Sequence, residues 1–278
     1  MLLNRRRVIL GAAGAALYAK AASAEKLAIF DSHFHIIDHR FPIVPNQGYT
    51  PPHYPLEAYL DHAKPLGVRG GAVVSGSFHG FDQSYLRATL TALGPGWIGV
   101  TQVPDDISDQ EIEMLSKIGV RALRFNMFRG RIDSVDQLVS LASRAHAVGG
   151  WHAEVYADAA ALKPHVDKLA TLKSLVIDHL GMTEQGVPVV LALVSSGQTK
   201  VKATGFGRVS LNVPDTLEKI AAKDPSALVF GTDLPSTRAK RPFEPSDVEL
   251  VVRTLGEDMA RRVFWDNSLS LYRVDAVR

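Results

Sequence analysis

Three places in this chain of 278 residues combine side chains that can do electrophilic or proton-transfer chemistry. The first is Asp31-Ser32-His33-Phe34-His35, where acid and imidazoles alternate. On an extended strand all three point to one side. Neutral imidazoles two residues apart can bind one divalent ion, or they can polarise a carbonyl directly. The second is Leu175-Val176-Ile177-Asp178-His179-Leu180-Gly181, an apolar run that ends in His179. The third is Leu228-Val229-Phe230-Gly231-Thr232-Asp233-Leu234-Pro235, where Asp233 could take a proton from water or complete a metal shell. Each has a plainer alternative. The histidines can be satisfied by core hydrogen bonds, and Asp233 can be a turn former near a proline.

Cations and hydroxyls supply candidate ligand contacts. Arg124 stands in the apolar run Leu123-Arg124-Phe125-Asn126, where an unpaired charge is costly. It therefore needs a partner, either a structural carboxylate or an anionic substrate. Arg208, Arg129 and Arg131 fall in loops after strand candidates, and a guanidinium matches a carboxylate in a planar, bidentate fashion. For Arg129 and Arg131 a solvated loop charge is the competing reading. Tyr49, Ser77 and Tyr156 are loop or strand-end hydroxyls that could orient a ligand. His152 and Glu154 share a face with Tyr156 and could support the site or add a ligand. His53, His62, His79, His146 and His165 read as surface or structural residues.

These residues need a scaffold that gathers them. From Lys26 onward, β-branched runs alternate with helical patterns. The strand candidates are Lys26–His35, Gly70–Gly76, Trp97–Val103, Val120–Asn126, Trp151–Tyr156, Leu175–Gly181, Val201–Phe206 and Leu228–Pro235. Several are nearly continuous apolar runs, as strands buried on both faces are. Ser108-x-x-Glu111 and Ser134-x-x-Gln137 are capping signatures that open amphipathic helices. Gly149 stands where a glycine would end the second of these. Lys64-Pro65-Leu66-Gly67 and Lys223-Asp224-Pro225 stop two others, and Val187–Val194 is a short apolar helix candidate. Phe41–Pro55 is one long proline-rich loop. Eight strand–helix units in about 250 residues fit a single-domain (β/α)8 TIM barrel. A doubly wound sheet would want a glycine-rich turn after its first strand, where this chain has Asp31-Ser32-His33-Phe34-His35. In a closed barrel the first and eighth strands are neighbours, so Asp233 should lie near His33 and His35.

Composition narrows the class. The chain is 46% hydrophobic and 22% charged, with no cysteine, which excludes a disulfide scaffold and thiolate metal or nucleophile chemistry. The formal charge of +2 becomes −2 without residues 1–24, which hold Arg5, Arg6, Arg7 and Lys20 and no acid. A near-neutral body carries no electrostatic footprint for nucleic acid. The first segment has the parts of a secretory leader: a basic start, an apolar run from Val8 to Tyr18 too short to span a bilayer, and Ala22-Ser23-Ala24 before Glu25. The arginines before Val8-Ile9 resemble the twin-arginine type. The expected organisation is a leader over 1–24 and a barrel domain over 25–278, exported to the periplasm. A cytoplasmic protein with a disordered N-terminus is the alternative.

Read as a whole, the body resembles the amidohydrolase superfamily, in its amidohydrolase-related (amidohydrolase 2) branch. The resemblance runs from Phe30-Asp31-Ser32-His33-Phe34-His35 to Gly231-Thr232-Asp233. It includes Asn267-Ser268-Leu269-Ser270-Leu271-Tyr272, similar to that branch's closing Asn-Pro-x-x-Leu-Tyr. Gly119–Asn126 and Ile177–Gly181 look most like the 2-pyrone-4,6-dicarboxylate lactonases and related lactonases. The resemblance implies hydrolysis of a carboxylated lactone. Asp233 would be the general base, and His33, His35 and His179 would polarise the carbonyl. Arg124 and Arg208 would clamp substrate carboxylates, with Tyr49, Ser77 and Tyr156 as hydrogen-bonding walls. Many members hold divalent ions. Here that implies at most one zinc or manganese on His33, His35, His179 and Asp233, with metal-free catalysis as the alternative. No obvious lysine on the fourth strand serves as a carboxylated ligand. Two features depart from the lactonases: Met127-Phe128-Arg129-Gly130-Arg131 replaces a basic anchor, and Leu234-Pro235-Ser236-Thr237 stands where relatives often have an aromatic residue and a histidine.

The partners expected are a small anionic lactone and the twin-arginine export machinery, with no nucleic acid and no stable membrane span. A homo-oligomer is an open alternative to a monomer. The competing functions are a metal-dependent decarboxylase of the same branch and a non-catalytic periplasmic binding protein.

Overall fold

A computed structural model of the chain describes residues 27–129 and 134–275. The leader, Arg131 and the side chain of Arg129 lie outside what it describes. Eight parallel strands follow one another around a barrel in sequence order. They are β1 (Ile29–Phe34), β2 (Val68–Val74), β3 (Trp97–Thr101), β4 (Val120–Asn126), β5 (His152–Tyr156), β6 (Leu175–Ile177), β7 (Thr199–Ala203) and β8 (Leu228–Phe230). The (β/α)8 expectation holds, with each strand followed by helical structure. Backbone hydrogen bonds close the ring at the mouth: Asp233 N donates to His33 O at 2.7 Å, and His35 N donates to Leu234 O at 2.8 Å.

The outer helices form where their caps and stops direct. Ser108 accepts from the Glu111 amide and opens α3 (Asp109–Lys117) with a reciprocal capping box. Ser134 accepts from Gln137 N and opens α4 (Val135–Gly149). The glycine that ends α4 is Gly150, left-handed at φ 66°, and not Gly149 as the sequence suggested. Gly149 is still helical. α1 (Leu56–Ala63) stops at the Lys64-Pro65-Leu66 turn, and the apolar α6 spans Val187–Val194.

Two cores result. The larger lies between barrel and helices, and includes Phe34, Tyr59 and Leu123. The smaller fills the barrel around the strand starts, where Phe30, Ala72, Ile98 and Ala122 meet Tyr272 of the final helix, α10 (Asn267–Tyr272). Tyr272 stacks on Phe30 at 5.4 Å. The C-terminal segment thus plugs the barrel from below, which leaves the chemistry at the other end.

Candidate active site

The site is built upward from β1. Between Asp31 and Phe34 the pairing with β2 slips, so that three residues of β1 pass two of β2. A bulge of this kind re-aims side chains. Asp31 therefore leaves the face that alternation assigned to it. Its carboxylate accepts from Tyr59 OH of the outer helix α1, from Thr232 N and Oγ1, and from His33 N. It ties β1, β8 and α1 together and is no part of the mouth. Burial raises its pKa to about 6 against those hydrogen bonds. His33 and His35 do face inward, with ring centroids 5.0 Å apart and perpendicular.

Asp233 arrives from the loop after β8 with a left-handed backbone, φ 60°. Gly231 permits the close approach to β1. A Cβ there would lie 2.7 Å from His33 N. Asp233 Oδ1 ends 3.8 Å from Nε2 of His33 and 3.8 Å from Nε2 of His35. These separations exceed a hydrogen bond but leave room for one oxygen atom to bridge them. The other oxygen, Oδ2, is held by Arg208, whose Nε donates at 2.8 Å and whose Nη2 also donates. Burial pushes the Asp233 carboxyl above its ordinary range, and the guanidinium of Arg208 acts against that shift.

His179 sits past the end of β6, in a short 3-10 turn (His179–Gly181), with φ 51°. The strand is shorter than the apolar run implied, but the turn still brings the ring within 4.9 Å of His33. Burial, reinforced by Lys202 at His33 and by Arg124 and Arg208 at all three, holds His33, His35 and His179 well below the ordinary imidazole range, so all three are neutral. Among the described residues, His33 Nε2, His179 Nδ1 and Asp233 Oδ1 are buried without a hydrogen-bond partner. His33, His179 and Asp233 offer ligand atoms within 4.8 Å of one another. That donor set is chemically compatible with one divalent ion.

Above these groups a cleft opens at the barrel mouth. Eight of the nine site residues named from sequence line it: His35, His179, Asp233, Arg124, Arg208, Tyr49, Ser77 and Tyr156. His33 lies just beneath. Arg124 has found the structural carboxylate: its Nε and Nη2 both donate to Asp178 Oδ2 at 3.1 Å, and Nη1 donates to Ser75 O at 3.0 Å. Its face still borders the cleft over the Tyr156 ring, at 5.2 Å. Arg238, which sequence reasoning did not single out, joins the rim from the loop after β8. Its guanidinium lies 4.3 Å over Tyr49. The Ser236-Thr237-Arg238 stretch thus places a cation where the sequence had shown only a departure from the lactonases.

Other polar residues divide into floor and frame. His152 and Glu154 do not line the cleft; they lie under His33, bonded to each other at 3.1 Å. Glu154 also pairs with Lys202 of β7 at 2.5 Å. Lys202 is wholly buried and was missed. The signal was available, because a lone cation in Val201-Lys202-Ala203 needs a partner for the same reason as Arg124. His79 is a frame residue. It accepts from Gly76 N through Nδ1, and its Nε2 meets Ile36 O at 2.9 Å. Burial lowers its pKa to about 3.

Residues 30–274 match the family model described as Amidohydrolase. A 2-pyrone-4,6-dicarboxylate hydrolase from Comamonas testosteroni is 33% identical over 159 residues, or 54% of this chain and 51% of that protein. That match spans about half the relative's length. A 4-sulfomuconolactone hydrolase from Hydrogenophaga intermedia is 25% identical over 275 residues, covering 87% of this chain and 88% of that one. A Pseudomonas putida protein solved as a candidate 2-pyrone-4,6-dicarboxylic acid hydrolase superposes with a TM-score of 0.78 at 25% identity, over 89% of this chain and 98% of that chain.

Proposed function

This chain belongs to the amidohydrolase family, and from that premise we propose that it hydrolyses a lactone bearing an anionic group, with Asp233 as general base. The observation that carries this reading is the position of Asp233 Oδ1. It is unpartnered among the described residues, at 3.8 Å from two neutral imidazole nitrogens and under a cleft rimmed by arginines.

The chemistry follows from those groups. A water next to Asp233 Oδ1 gives that oxygen a proton as its own oxygen attacks the lactone carbonyl carbon. The carbonyl oxygen gains charge against imidazole N–H donors fixed in a buried site. When the ester C–O bond breaks, the proton on Asp233 passes to the leaving alkoxide, and the carboxylate is restored. Arg208 and Arg238 border the same cleft and suit an acidic substituent on the ring. Tyr49, Ser77 and Tyr156 complete the wall. His33, His179 and Asp233, with His35 adjacent, would hold one zinc or manganese ion. Such an ion supplies Lewis-acid polarisation of the carbonyl when bound.

The names of the two sequence relatives, a pyrone-dicarboxylate hydrolase and a sulfomuconolactone hydrolase, support an anionic lactone. The test is pH-stat titration of purified protein against carboxylated, sulfonated and neutral lactones. It is run after chelation and again with added zinc or manganese. Ring opening releases acid without CO2, whereas a decarboxylase releases CO2. Silence across the whole panel in both metal states would falsify the proposal. Export through a twin-arginine leader over residues 1–24 remains part of the proposal.

A further inference from the structure

The two imidazoles of β1 are held by different kinds of atom, and the difference fixes where each keeps its proton. His35 Nδ1 lies 2.7 Å from Val74 O. A carbonyl can only accept, so this neutral ring carries its proton on Nδ1 and presents a lone pair at Nε2. His33 Nδ1 lies 3.3 Å from Lys202 Nζ. An ammonium can only donate, so this ring presents its lone pair at Nδ1 and carries its proton on Nε2. One strand thus offers Asp233 an acceptor on one side and a donor on the other, at equal distances.

A competitor for the His33 proton is close by. Asp178 Oδ1 stands 3.5 Å from the same Nδ1 and has no hydrogen-bond partner among the described residues. It would favour the opposite tautomer, the form in which Nε2 is free to ligate a metal. Lys202 prevails because it cannot withdraw. Its ammonium is pinned by Glu154 Oε2 at 2.5 Å. Glu154 Oε1 is pinned in turn by Tyr272 OH at 3.0 Å and His152 Nε2 at 3.1 Å. A proton on His33 Nδ1 would face this fixed ammonium, donor against donor. Asp178 is less demanding, since its Oδ2 already holds the Arg124 fork.

We propose that Lys202 is a positioning residue that keeps the His33 proton on Nε2 in the metal-free protein, and so makes His33 the hydrogen-bond donor to the lactone carbonyl oxygen. The proposal rests on the lactone-hydrolase reading above. It divides the labour of the pair: His33 donates to the carbonyl, while His35 accepts from the attacking water. It also assigns a function to a charge network that touches neither cleft nor solvent.

The direct test is two-bond 15N–1H correlation NMR of histidine-labelled, chelated full-length protein at neutral pH, with His33 assigned through His33→Gln. The expected result is a bare Nδ1 and a protonated Nε2 for His33, and the reverse for His35. In Lys202→Met/Glu154→Gln, which removes both buried charges together, the His33 proton should move to Nδ1 and toward Asp178. The kcat should fall by about 100-fold with KM little changed, and zinc should bind about 10-fold more tightly. Lys202→Met alone should behave in the same way if it folds. A native His33 protonated on Nδ1 overturns the proposal. So does a double variant that loses activity with its His33 tautomer unchanged, because Lys202 is then only structural. Native protein inert toward every lactone removes the hydrolase reading, while the resonances still decide the tautomer.

Discussion

Arg208→Met separates the two parts that one guanidinium plays. In the free protein Arg208 donates twice to Asp233 Oδ2, while burial raises the Asp233 pKa. Removing the guanidinium leaves only the charge of Arg124 acting against burial, so the carboxyl pKa rises further. A hydrogen bond to a charged group contributes about 1.5–3 kcal/mol. Counting the two-pronged contact as one such interaction, at about 1.4 kcal/mol per pKa unit its loss moves Asp233 up by about one to two units. A general base works ionised, so activity climbs as pH rises through this pKa. The acid limb of kcat/KM, which reports the free protein, should move to higher pH by that amount. The assay is a set of pH–rate profiles for parent and variant, on one carboxylated and one neutral lactone. The limb should shift equally for both substrates, and the anionic one should also lose affinity. An acid limb that stays in place while KM rises for the anionic lactone alone would refute the reasoning. Arg208 would then serve the substrate only, and the base would have to be another group.

Asp233→Asn keeps the shape of the side chain but cannot take the proton. Its kcat should drop by about 10²–10⁴ while product affinity, read by calorimetry, changes little. Arg124→Met strands the Asp178 carboxylate in the barrel, so thermal unfolding should show a loss of about 3–5 kcal/mol. Arg124→Met/Asp178→Asn should recover much of it; no recovery would place Arg124 on the substrate side instead. Arg6→Lys/Arg7→Lys should leave the precursor in the cytoplasm on fractionation, and normal export of this variant would rule out the twin-arginine route.

The histidines and Asp233 were legible because barrel strands buried on both faces spell out apolar runs whose ends are easy to find. Chain order then makes the first and last strands neighbours. What escaped was set by contacts between strands. The slip between β1 and β2 turns Asp31 toward Tyr59, and no property of Asp31-Ser32-His33 alone encodes a register against β2. Lys202 lies inside the strand candidate Val201–Phe206, but its partner Glu154 comes from β5, so only the folded barrel shows what the buried cation holds. Arg124 was read correctly as needing a partner. Its choice of Asp178 over a ligand depends on the turn after β6, two strands along the ring from β4. Ser108 and Ser134 were legible because a cap involves residues only three apart.

The closing bonds of the barrel tie the chemistry to the scaffold. Asp233 N donates to His33 O, and His35 N donates to Leu234 O, so the backbone that seals β1 against the loop after β8 also sets the base beside the imidazoles. The tautomers are fixed from within the same frame, by Val74 O and Lys202. The groups that would meet the rest of a substrate are attached differently. Tyr49, Ser77 and Arg238 come from separate loops above the ring, and Arg238 reaches Tyr49 across the cleft. Substitutions there can change the anion or ring that is accepted without moving Asp233. Variants of Tyr49 or Arg238 should therefore alter KM and substrate preference while the acid limb stays at its parental pH. A shifted limb would mean that loop and base are coupled after all.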